Sequence, residues 1–112
     1  EVVLVQRAPI EVVDGRVSIR KQDEPFTWLQ KHVISRTPVS FSCARVVSDR
    51  YPVTFRMYHM SDLNALITVT NERAFRLPAL RPEREWAFDI EPSSDSALVR
   101  EAVIATSMDR LA

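Results

Sequence analysis

The chain has 112 residues and a mass of 12.9 kDa, room for one domain with a modest core and none for a cofactor domain beside a substrate domain. Hydrophobic residues make up 46% and charged residues 27%, and 15 basic side chains balance 15 acidic ones. That composition excludes a disordered tail and argues against a general polyanion binder, so no nucleic-acid partner is expected.

Gly occurs once, at Gly15, and Pro seven times, at Pro9, Pro25, Pro38, Pro52, Pro78, Pro82 and Pro92. Each proline removes a backbone donor and restricts its predecessor, so the prolines mark strand borders, sheet edges and turns. In chain order, Val2 to Arg7 and Val17 to Arg20 read as short strands around an Asp14-Gly15 turn, a hairpin arm. Phe26 to Val33 follows with Trp28. Ser40 to Val47 then places Phe41, Cys43 and Val47 on one face and Ser42, Ala44 and Val46 on the other. The period-2 pattern is clearest after Pro52, with Val53, Phe55 and Met57 opposed to Thr54, Arg56 and Tyr58. Leu66 to Thr70, Ala74 to Leu77 and Glu85 to Glu91 complete the middle, the last with Trp86, Phe88 and Ile90 inward.

The C-terminal run fits a helix through Leu98, Val99, Ala102, Val103 and Thr106, and a strand through Val99, Val103 and Ala105. A strand to Ile104 or Ala105 is preferred, with the Ser107 hydroxyl capping one helical turn over Met108 to Leu111. Six to nine short strands and at most one helical turn predict an all-β fold, an antiparallel β-sandwich of the jelly-roll or immunoglobulin-like kind. Residues 1–25 are expected to be an N-terminal hairpin arm or the end of a preceding domain, and residues 26–112 the sandwich. The start at Glu1, with no signal-peptide pattern, suggests a piece of a longer chain. The longest aliphatic stretches, such as Ala102-Val103-Ile104-Ala105, fall far short of the roughly 18 residues of a membrane-spanning helix, so no membrane span is expected.

Chemistry is sparse. Cys43 cannot form an internal disulfide, and with His32 and His59 it is too little for a zinc site. Cys43 sits at an apolar strand position, where a buried, inert thiol is expected rather than a nucleophile activated by His59. A single glycine cannot build a phosphate-binding loop, and no pair of carboxylates is singled out for hydrolysis. No catalytic residue, metal or cofactor is therefore expected, and the protein is read as a non-enzyme. Arginine outnumbers lysine 13 to 2. Arg73, Arg76, Arg81 and Arg84 cluster with Glu72, Glu83 and Glu85 interleaved, a mixed-sign patch suited to protein contacts or simply to a solvated surface. Trp28, Tyr51, Tyr58 and Trp86 could instead form a sugar-stacking platform, although Trp86 fits a core position better.

Two stretches carry a resemblance. The first joins Phe26-Thr27-Trp28-Leu29-Gln30-Lys31-His32-Val33, Pro38-Val39-Ser40-Phe41-Ser42-Cys43-Ala44-Arg45-Val46 and Tyr51-Pro52-Val53-Thr54-Phe55-Arg56-Met57-Tyr58. The second joins Phe75-Arg76-Leu77-Pro78, Glu85-Trp86-Ala87-Phe88-Asp89-Ile90 and Val103-Ile104-Ala105-Thr106-Ser107-Met108-Asp109-Arg110-Leu111. Together, over residues 26 to 111, they resemble the C-terminal β-sandwich segment of tail-associated structural proteins of tailed bacteriophages. The chain departs from that pattern at His59-Met60-Ser61-Asp62-Leu63-Asn64-Ala65, which lacks the family's glycine-containing hairpin, and at Pro82-Glu83, where the family is basic. The resemblance implies a virion structural module in the tail, otherwise soluble, that packs against other virion proteins in a homo-oligomeric ring or tail assembly. It carries over no catalytic residue. The alternative is a carbohydrate-binding or adhesin module on the same architecture, with a glycan as ligand.

Overall fold

The structure, a computed structural model, describes residues 10–20, 31–59, 62–92 and 99–111. Alternation of apolar and polar side chains between prolines yields strands throughout: β1 (Ile10–Glu11), β2 (Arg16–Arg20), β3 (Lys31–Val39), β4 (Cys43–Ser48), β5 (Val53–His59), β6 (Asp62–Val69), β7 (Phe75–Arg76), β8 (Glu83–Pro92) and β9 (Val99–Ala105). One 3-10 turn, Met108–Arg110, follows. The strands form two sheets, ordered β1-β3-β8-β5-β6 and β2-β9-β4-β7, and every pairing is antiparallel except the two-residue β1–β3 contact. The fold is a β-sandwich.

The core lies between the sheets. Val17, Ile19, Ala44, Val46, Ala102 and Ile104 from the smaller sheet meet Val33, Val53, Phe55, Met57, Trp86, Phe88 and Ile90 from the larger. The expected inward faces of β5 and β8 are the observed ones, because both are interior strands whose register places Phe55 beside Ile90 and Met57 beside Phe88. β9 reads ambiguously in sequence because both its faces are covered: Ala102 and Ile104 face the main core, while Val103 and Ala105 join Cys43 and Leu111 in a second cluster. The 3-10 turn carries Leu111 to that cluster, and Cys43 is buried there with its thiol 3.7 Å from the Ala105 carbonyl.

Several expectations change in detail. β3 continues past Val33 to Val39, and Pro38 is tolerated because the register with β8 shifts between Ile34 and Val39. Phe26 to Gln30 and the Val2 to Arg7 strand lie outside the described residues. Phe41 does not share the Cys43 face: it precedes β4, where the chain is still crossing between sheets, and it enters the inter-sheet core. Ser107 makes no side-chain cap; the turn closes through its carbonyl, which accepts the Arg110 N–H at 3.1 Å.

The Asp14-Gly15 turn is present, with φ of 53° and 71°. Val13 and Arg16 exchange backbone hydrogen bonds of 3.1 and 3.0 Å around it, the pattern of a tight two-residue turn. Its flanking strands part company: β1 pairs with β3 in one sheet and β2 with β9 in the other, so the turn passes the chain between sheets. Val17 and Ile19 are buried in the core, and the Gly15 carbonyl accepts the Thr106 N–H at 2.9 Å. A Cβ at Gly15 would lie 2.6 Å from Thr106 Oγ1 in a backbone region that side chains avoid. Gly15→Ala is therefore expected to lower unfolding stability by roughly 1–2 kcal/mol or more, measured by urea denaturation. An unchanged midpoint would mean that the turn relaxes freely.

Candidate protein interface

The four arginines singled out in sequence map to one stretch of chain that leaves the larger sheet, passes through the smaller and returns. Arg73 lies between β6 and β7, Arg76 on β7, Arg81 between β7 and β8, and Arg84 on β8. The return, residues 77–82, runs antiparallel to residues 40–42, which make the opposite crossing from β3 to β4. Pairing continues through this corner: Ala44 with Phe75, Cys43 with Arg76, the Leu77 N–H to the Ser42 carbonyl at 2.8 Å, the Ser40 hydroxyl to the Leu80 carbonyl at 2.7 Å, and Val39 with Glu83. Trp86 pins the corner from inside, its indole N–H shared between the carbonyls of Val39 (3.1 Å) and Glu83 (3.3 Å).

All four arginines are exposed. The ion pairs seen among the described residues are Arg20–Glu101, Arg36–Glu11 and Arg56–Glu91; these, and the close approach of His59 to Glu83, leave out Arg73, Arg76, Arg81 and Arg84. The glutamates expected to interleave with them are engaged elsewhere in part: Glu83 Oε1 lies 3.1 Å from His59 Nε2, and the His59 ring rests 5.2 Å from Trp86. Arg84 also borders a shallow groove with Ile34, Ser35, Pro38, Glu83 and Glu85.

The described members of the alternative sugar-stacking platform are each engaged within the fold. Trp86 is buried in the core. The Tyr51 hydroxyl donates to the Val46 carbonyl at 2.8 Å and accepts the Ser48 N–H at 3.1 Å, fastening the β4–β5 turn. The Tyr58 hydroxyl donates to Asp89 at 3.2 Å. Trp28 lies outside the described residues. Among the described residues no group of three Cys, His or acidic side chains is placed to hold a metal ion, and no helix is long and apolar enough to cross a membrane.

A polar cluster on the outer face of the larger sheet has no counterpart in the sequence reading. Register places Arg56 opposite Asp89 and Tyr58 opposite Ala87. Arg56 pairs with Glu91 at 2.9 Å, and this hydrogen bond raises the guanidinium pKa against the opposing cost of desolvation. Burial, with the Asp89 carboxylate beside it, raises the Tyr58 phenol above its ordinary value of 10.0. The outward alternation of Arg56 with Tyr58, and of Asp89 with Glu91, is legible in each strand, but the β5–β8 pairing that joins them is not.

Because the Tyr58 pKa is raised on folding, the native state keeps its proton at a pH where the unfolded chain releases it. The associated stability is intact below about pH 10 and is lost as pH rises through the folded value. Tyr58→Phe is expected to be less stable than the parent at neutral pH, with the gap narrowing above about pH 10. Denaturant melts of both proteins across that range check this; a gap independent of pH would separate Tyr58 ionisation from stability.

Compared with known protein families, curated proteins and solved structures, neither the sequence nor the fold finds a match.

Proposed function

We propose that this chain is a non-enzymatic structural module of a tailed-bacteriophage tail, packing through its arginine-bearing corner against neighbouring virion proteins in a symmetric assembly. The phage assignment rests on the resemblance over residues 26 to 111. The observation that carries the interface is the exposed set Arg73, Arg76, Arg81 and Arg84, unengaged by any described carboxylate, with Arg76, Arg81 and Arg84 on or beside a crossing hydrogen-bonded to residues 39–44. Guanidinium groups presented this way can make bidentate pairs with a partner's carboxylates without first breaking an internal ion pair. Backbone pairing at the corner lowers the ordering cost of binding, which matters for a weak contact repeated around a ring. The hydrogen bonds of Tyr51 and Tyr58 and the burial of Trp86 withdraw support from the glycan-binding alternative.

Peptide mass spectrometry of density-banded particles from the source organism's lysate tests the assignment. Stable low-copy recovery beside a major capsid protein is expected, and absence from particles would overturn the virion reading. Within particles, an Arg81→Glu/Arg84→Glu double variant tests the interface. Both residues are exposed, so thermal stability should change by no more than about 0.5 kcal/mol per site. Incorporation into particles should fall at least tenfold, by a rough count of two lost charge-assisted contacts. Normal incorporation of the folded variant would exclude the corner.

A further inference from the structure

Among the described residues the two sheets present four edges, and three are blunted. β1 and β7 are two residues long, and β2 carries Arg16 and Arg20 at its ends. The fourth, β6, spans Asp62–Val69 and has β5 on one side and no described strand on the other. Residues 63–71, Leu-Asn-Ala-Leu-Ile-Thr-Val-Thr-Asn, contain no charge and no proline, and Ile67, Thr68, Val69 and Thr70 are β-branched. The one irregularity, a register shift between Met57 and Tyr58, falls near the Asp62 end and leaves Ala65 through Val69 in regular pairing with β5. Leu63 and Leu66 share the outer face with Tyr58 and Arg56, at 49% and 57% exposure.

We propose that the β6 edge pairs antiparallel, across a two-fold axis, with the β6 edge of a second copy of this chain. An open ladder of backbone donors and acceptors is matched by another strand, and the same strand is its own complement under two-fold symmetry. Charge favours this occupant. The uncharged centre brings no like charges together across the axis. The antiparallel arrangement carries Asp62 of each copy to the Glu72–Arg73 end of the other, where the unengaged Arg73 guanidinium offsets the two carboxylates. Pairing would join two five-stranded sheets into one and bring the exposed leucines of both copies onto a shared outer face. The proposal goes beyond the tail assignment and does not depend on it, since it concerns the isolated chain.

Sedimentation equilibrium of the chain over a concentration series, beside a Leu66→Lys/Thr68→Lys variant, tests it. Both side chains are exposed, so the variant should keep the parent's circular dichroism and melting behaviour at low, monomeric concentration. The parent is expected to approach twice 12.9 kDa. The variant should show a dissociation constant raised by about tenfold or more, because lysines meet across the axis. Arg81→Glu/Arg84→Glu should dimerise as the parent does, which separates this edge from the corner. A parent that stays monomeric, or a lysine variant that dimerises equally well, would overturn the proposal.

Discussion

Everything in this fold depends on a chain of aromatic rings that bridges the two sheets. Trp86 meets Phe41 at 5.9 Å, Phe41 meets Phe88 at 5.6 Å, Phe88 meets Phe55 at 5.7 Å and Phe55 meets Phe75 at 5.4 Å. Trp86, Phe88 and Phe55 belong to the larger sheet, while Phe41 and Phe75 enter from the smaller sheet and its approach. Three of the contacts are edge-to-face, an arrangement worth about 0.5–1.5 kcal/mol each beyond the area buried. With its one cysteine free and buried, the chain has no cross-link to hold the layers, and this packing does so.

The same rings decide how the corner is presented. Phe41 lies in one crossing segment, Trp86 lies just beyond the other, and both are fixed in the core. Their anchoring leaves the intervening backbone to satisfy its polar groups across the corner, through Ser42 with Leu77 and Ser40 with Leu80. The indole N–H of Trp86 completes this arrangement by answering two carbonyls that the bend exposes. Arg76, on an edge strand paired with β4, and Arg81 and Arg84, on and beside the return bonded to residues 39–42, are therefore carried by fastened backbone, and chiefly their side chains need ordering when a partner arrives. Packing and surface chemistry are coupled here through one tryptophan.

Legibility from sequence followed how local each determinant is. The inward faces of β5 and β8 were readable because strict alternation over six or seven residues has one interpretation when a single face is buried. The Asp14-Gly15 turn was equally readable, since positive φ is a local demand. What those strands pair with was not. The turn looks like the tip of a hairpin arm, yet β1 and β2 enter different sheets, because partner choice is set by the core and not by the loop. Phe41 misled for a related reason: alternation assigns it to the Cys43 face only if the strand has already begun. At the site, the four arginines were visible as a cluster in sequence and are exposed in the fold. The bond between Tyr58 and Asp89 required knowledge of pairing across 31 residues.

The two proposed contacts differ in symmetry, and that difference bears on what the chain could build. An edge strand paired with itself makes an isologous contact, which closes on two copies and stops. A corner whose exposed arginines pair with carboxylates on a different surface makes a heterologous contact, and repetition then gives a ring or a tube. β6 and β8 are separated within the larger sheet by β5. The two contacts therefore draw on different strands and share one residue, Arg73. A module with one closing and one propagating contact has the minimum equipment for a doubled ring, in which symmetry supplies the binding strength that a single small domain lacks.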